Sequence, residues 1–199
     1  MKKTLILEND ADVPGRGDLN MQLDETFVRV TDYIPDIVVD MKYATSDNFI
    51  GKPFYHFSEA WLRYGTVKKL AQVQEKLRQQ GYSLKIWDAF RPVASQFILW
   101  EARPDNDFVA NPYNGCSNHS RGNCVDVTIV DVNGQDIKMP SEFDAIYYLE
   151  DCHDEEALTN KEWLEGLMVE AGFRGINSEW WHFIDQVRYE VEREFMPEK

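Results

Sequence analysis

The chain has 199 residues, 43% of them apolar and 28% charged, and a formal net charge of −14. This is the composition of a globular protein, not of a disordered chain or a membrane span. The acidic balance speaks against a nucleic-acid partner, because binding phosphate requires a surplus of Lys and Arg that this chain lacks.

The length fits one domain, expected over residues 1–199 with its motif-bearing core at about 40–185. The chain begins "MKKTLILEND", where the apolar run stops at Leu7 and Glu8, Asn9 and Asp10 follow. A secretory segment needs about 7–15 apolar residues, so the expectation is a cytoplasmic protein. No window has the length of a membrane-spanning helix. "DIVVDMKYAT" (Asp36 to Thr45) has strand character, and "SDNFIGKPFY" (Ser46 to Tyr55) has loop character.

Val67, Leu70, Val73 and Leu77 recur at helical spacing, which predicts a helix over 67–80 stopped by Gly81. In "SLKIWDAFRP", Leu84 and Ile86 alternate with polar neighbours as on a strand, and Pro92 ends it and opens a helix through "VASQFILWEA". Residues 104–121 read as loop. "VDVTIVDV" then alternates as a strand, with Val125, Val127 and Ile129 on one face and Asp126, Thr128 and Val130 on the other.

A second helix is expected to start at a Thr159/Glu162 capping box, with an apolar stripe of Trp163, Leu164, Leu167, Met168 and Ala171 closed by Gly172. "SEWWHFID" reads as an aromatic-rich strand, and the charged tail "YEVEREFMPEK" as surface. Helices and strands do not alternate as βαβ units, which favours an α+β fold with a mixed or antiparallel sheet. The cysteines, Cys116, Cys124 and Cys152, are odd in number and irregular in spacing, so they read as reduced thiols.

Two segments carry residues suited to chemistry. One is "SNHSRGNCVDVT", with His119 and Asp126; the other is "SEWWHFID", with Glu179 and His182. Two imidazoles and a carboxylate, with a second carboxylate in reserve, match the donor inventory of a catalytic zinc site. Gly122 gives the backbone before the strand freedom to turn. Each residue also has an ordinary reading: a core histidine, Asp126 paired with Arg121, and Trp180, Trp181 and Phe183 as packing. An Asp buried in a strand without a partner costs several kcal/mol, yet no HExxH or CxxC pattern is present, and the residues alone leave both readings open. Arg91 in "WDAFRP" is either an oxyanion donor or, more ordinarily, a salt-bridge partner of Asp88 or a carbonyl cap. His56 and His153 read as unremarkable surface residues.

"SNHSRGNCVD" resembles the Ser-x-His-x-x-Gly-x-Ala-x-Asp signature of the D-alanyl-D-alanine metallopeptidases, and "EWWHF" resembles their Glu-x-x-His motif. "KYATSDNFIGKPFY", "IWDAFRP" and "MPSEFDA" narrow the resemblance to the dipeptidase, VanX-like branch, and all five stretches fall in the family's order. The resemblance implies an α+β fold with a central antiparallel sheet flanked by helices, shared with the hedgehog signalling domain. It implies one Zn2+ per chain held by His119, Asp126 and His182, with Glu179 as general base and Arg91 polarising the scissile carbonyl. Tyr43, Ser117 and Asp144 match positions that contact the substrate termini or line the pocket, and Trp180 or Trp181 would form an apolar wall. The implied substrate is a small dipeptide such as D-Ala-D-Ala. A D,D-carboxypeptidase acting on peptidoglycan stem peptides and a non-catalytic metal-containing module are the alternatives. Two departures stand out: Cys124 replaces the usual alanine, and Pro140 replaces a glycine in "MPSEFDA". On an ideal strand Glu179 and His182 face opposite ways, so a bend or bulge is expected at Ser178-Glu179.

Overall fold

The computed structural model describes residues 22–106, 108–145 and 152–197, so the N-terminal segment read above as lacking a secretory signal lies outside the described residues. A five-stranded sheet organises the molecule, in the order β2 (Val38–Val39), β4 (Tyr82–Asp88), β5 (Cys124–Asp131), β7 (Glu179–Asp185), β6 (Phe173–Ile176). All neighbours are antiparallel except β2 and β4, which run parallel. The sheet is therefore mixed, one of the two forms expected from the sequence, where the resemblance implied an antiparallel one. The chain between β2 and β4 is long enough to cross over, because it carries β3 (Trp61–Arg63) and α1 (Tyr64–Arg78). A small second sheet pairs β3 with β1 (Phe27–Arg29).

The two faces of the central sheet have different fates. Val125, Val127 and Ile129 of β5 pair across to Phe183, Ile86 and Leu84 and are buried. Against that side pack α1, through Val67, Leu70, Val73 and Leu77, and α3 (Glu155–Glu170), through Leu164 and Met168. The carboxylate of Asp185 also turns to the helix side, where it meets Lys69 and Thr66 of α1. The opposite face carries Cys124, Asp126 and His182.

Several elements differ from the sequence expectation, each for a local reason. Helix α1 begins at Tyr64, three residues before its apolar stripe. Helix α3 begins at Glu155 and not at Thr159, because Asp154 caps it: its Oδ1 accepts from Ala157 N at 3.1 Å, ahead of two acidic residues in the first turn. Thr159 lies inside the helix, its hydroxyl donating to Glu155 O. Helix α2 (Val93–Ala102) follows Pro92 as expected. Only Val38–Val39 of "DIVVDMKYAT" pairs as strand; Lys42–Ala44 forms a 3-10 turn that buries Tyr43.

The tail is not merely surface. Phe195 stacks on Phe27 with centroids 4.5 Å apart and touches Trp61 and Phe90, while Glu192 N donates to Ser120 O at 2.8 Å. Its aromatic side chain draws the charged segment back over the turn that carries His119. That turn, His119–Arg121, ends at Gly122, which has a left-handed φ of 73°. A β-carbon there would run into the Phe27 ring. Gly122→Ala is therefore expected to cost about 1–3 kcal/mol from overpacking alone, with left-handed strain in addition, and to appear as a lower midpoint in thermal and urea unfolding; an unchanged midpoint would show that the turn is not held against Phe27.

Candidate active site

Two interruptions of strand alternation build the site. Between Ile86 and Asp88 the β4–β5 register shifts, so that Ile86 pairs with Val127 but Asp88 pairs with Asp126. Trp87 is the extra residue, and Asp88 is thereby turned onto the face of Asp126. On β7, Phe183 pairs with Gly175 and Glu179 with Ile176, so residues 180–182 bulge out of register. The bulge was expected at Ser178-Glu179; it lies just after Glu179. It has the required effect, placing Glu179 Oε2 3.4 Å from His182 Nδ1 on one face.

Asp126, buried on β5, is the centre of the cluster. Its Oδ1 lies 2.9 Å from His182 Nδ1 and 3.3 Å from His119 Nε2, and those two nitrogens are 3.3 Å apart. Donors at tetrahedral zinc–ligand distances of about 2.0–2.1 Å stand about 3.3 Å from one another, so this triangle has the size of a zinc coordination face. His119 Nδ1 lies 2.7 Å from Ala89 O, to which it donates, leaving Nε2 as the free lone pair facing Asp126. Burial lowers the histidines' affinity for protons, but neighbouring groups outweigh it and raise both imidazoles: Asp126 and Asp88 at His119, Cys124 and Asp126 at His182. Asp126 is held well below the ordinary carboxylate range despite its burial. The cluster thus attracts positive charge, whether protons or a metal ion.

Two further donors adjoin it. The ligating atoms of Asp88, His119 and Asp126, and those of His119, Cys124 and His182, each lie within 4.8 Å of one another. Asp88 is already engaged: it accepts from Tyr55 OH at 2.8 Å, Ala89 N at 2.9 Å, and Arg91 Nε and Nη2 at 3.1 and 2.6 Å. Cys124 Sγ sits 3.2 Å from His182 Nε2 and 3.5 Å from His119 Nε2. Burial pushes this thiol up to about 11, so Cys124 is a neutral packing group beside the imidazoles at neutral pH. Asp126 does not pair with Arg121, which instead donates to Tyr189 O.

Above the cluster opens a cavity of about 350 Å³ lined by Tyr43, Arg91, Ser117, Asp144, Glu179 and Trp181 as well as the three donors. Arg91 is salt-bridged to Asp88, the more ordinary of its two readings, bonded to Gln96 Oε1 at 2.9 Å, and lines the cavity. Ser117 Oγ accepts from His119 N. Tyr43 OH lies 3.1 Å from each oxygen of Asp144. Among the described residues Asp144 is the one non-glycine with a left-handed φ, 59°, a conformation that aspartate tolerates better than most. Burial raises Glu179. Trp181 lines the cavity, whereas Trp180 turns away, packs on Trp87 and donates to Ser141 Oγ at 3.0 Å. Adjacent strand residues take opposite sides, and the bulge sets which one faces the site, so of the two tryptophans only Trp181 borders the cavity. The sequence reading named Asp88 as a partner of Arg91 but missed Tyr55 and Gln96 in the brace, and Arg174 as a lining residue. Nothing local marked these three.

The D-ala-D-ala dipeptidase family, peptidase M15, matches the chain over residues 24–197. A D-alanyl-D-alanine dipeptidase of Escherichia coli (strain K12) is 36% identical over 153 residues, covering 75% of this chain and 79% of that protein. One of Enterococcus faecium is 30% identical over 169 residues, covering 73% and 84%. Among solved structures, a vancomycin-resistance D,D-pentapeptidase in complex with Zn(II) superposes with a TM-score of 0.41 at 16% identity, covering 68% of this chain and 76% of that one.

The Asp144 carboxyl carries a pH signature. Burial raises it from 3.8 to about 7. A folded-state pKa above the unfolded value stabilises at low pH and loses that stabilisation as pH rises through the folded value. In chelator-treated protein, Asp144→Asn should therefore gain stability relative to wild type as pH rises from about 4 to about 8. Urea unfolding at the two pH values measures this, and a pH-independent difference would contradict it.

Proposed function

The chain belongs to the D-Ala-D-Ala dipeptidase family, and from that premise we propose that it is a zinc metallopeptidase hydrolysing D-Ala-D-Ala or similar small dipeptides. The observation that carries this reading is the triangle of His119 Nε2, Asp126 Oδ1 and His182 Nδ1, with sides of 2.9–3.3 Å, beneath the cavity and next to Glu179. These three residues would hold one zinc ion per chain. Asp88 is excluded by its four donors, and Cys124 by its neutral thiol. Bound zinc supplies a Lewis acid that polarises the scissile carbonyl and makes water acidic near neutral pH.

The protein's own groups do the rest. Glu179 is half-buried beside the donors without belonging to the triangle, and its raised pKa suits a group that takes a proton from the attacking water and returns it to the leaving amine. Arg91 spends three of the five guanidinium N–H groups on Asp88 and Gln96, which leaves two for the oxyanion that develops at the scissile carbonyl. Asp88 fixes its plane, so no reorganisation is needed during reaction. Asp144, braced by Tyr43, offers a carboxylate for the substrate ammonium, and Trp181 forms the apolar wall. An acylated amino terminus carries no such charge and leaves the Asp144 carboxylate without an ionic partner.

Metal analysis should find about one zinc per chain; full activity in metal-free protein overturns the reading. Glu179→Ala should retain zinc while kcat falls by about 10²–10⁴-fold; retained turnover removes Glu179 from the mechanism. N-acetyl-D-Ala-D-Ala should be cleaved far more slowly than the free dipeptide, and efficient cleavage would favour the carboxypeptidase alternative.

A further inference from the structure

A zwitterionic dipeptide needs a cation for its carboxylate as well as an anion for its ammonium. The cavity has two arginines, and they are not equivalent. Arg91 is buried and neutralised by Asp88. Arg174, on β6, is exposed at the mouth and lines the cavity, and its guanidinium makes no ion pair or hydrogen bond among the described residues.

Sheet register says where Arg174 stands. Arg174 pairs with Ile184, and Ile184 with Cys124, forming one row across β6, β7 and β5 on the site face. The next row holds Asp126 and His182. His182 therefore stands one strand across and two residues along from Arg174, offsets of roughly 4.8 and 7 Å, so the Arg174 side chain reaches into the space beside the donors. Asp144 lies on the other side of the donors: its neighbour Phe143 packs on Trp181 at 5.6 Å and on Trp87 at 5.2 Å, and Trp181 precedes His182 where Ile184 follows it. The cavity is therefore bipolar, with a carboxylate at one end, the zinc-donor triangle between, and a guanidinium at the other end.

The surroundings of Arg174 strengthen the cationic end. A neighbouring groove of about 410 Å³ shares Arg174, Cys116, Asn118 and Ile184 with the cavity and adds Arg121 and Arg188. Asp185 also borders it, but its carboxylate is spent on Lys69 and Thr66. In a chain of net charge −14, this is a local positive field at the mouth of the site.

We propose that Arg174 receives the carboxylate of the substrate's leaving residue and so sets the preference for a free C-terminus. This rests on the dipeptidase reading. The test compares D-Ala-D-Ala with D-alanyl-D-alaninamide, whose C-terminus is neutral, on the zinc-loaded wild type, Arg174→Met and Arg174→Lys. Arg174→Met should lower kcat/KM for the free acid by roughly 10- to 100-fold, mainly through KM, and leave the amide unchanged; Arg174→Lys should recover part of the loss. Equal losses on both substrates, or none on the free acid, overturn the assignment. If wild type cleaves neither compound, the dipeptidase reading fails. Calorimetric binding of the same pair then decides the subsite: a preference for the free acid that disappears in Arg174→Met upholds it, and no preference overturns it.

Discussion

A carboxylate buried in the middle of a sheet governs the rest of this structure. Asp126 sits on β5 with almost no access to water, where an unpaired charge would cost several kcal/mol. Its answer is two imidazoles brought from distant parts of the chain. His182 arrives by strand pairing, directly opposite on β7. His119 arrives on a 3-10 turn closed by Gly122 and anchored to Ala89 O. The tail, through Glu192 and Phe195, holds that turn from outside. Much of the irregular structure on this side of the molecule thus serves to deliver one ring to one carboxylate.

The same sheet separates stability from chemistry. Its helix-covered face is filled with aliphatic side chains and needs strict alternation. The other face needs more polar groups than alternation alone allows. Two bulges resolve the conflict, one at Trp87 and one across residues 180–182. The first gives Arg91 its partner, Asp88. The second puts Glu179 beside His182. Both leave the helix-side rows of β5 intact, so the core does not lose packing where the site gains function.

How much of this was legible depends on the range of the interaction. Helices α1 and α2, strands β4, β5 and β7, and the shared face of Cys124 and Asp126 follow from spacing within a few residues. The early start of α3 was missed because an Asp154 cap competes with an equally plausible Thr159 box. The tail was misread because a charged segment reveals nothing of the aromatic shelf on which Phe195 rests. Trp180 and Trp181 could not be told apart, since their sides are chosen by a register shift.

By itself, then, the sequence determined which groups were available: the spacing of His119 and Asp126, the Glu179–His182 pair, the glycine between loop and strand, and the resemblance those carry. These are local facts, because steric rules and side-chain periodicity act over one turn or one strand. Only the tertiary structure decided that Asp126 meets both histidines, that Asp88 braces Arg91, and that Arg174 and Asp144 line one cavity. Those outcomes depend on strand order and register, which are set by packing between segments far apart in the chain.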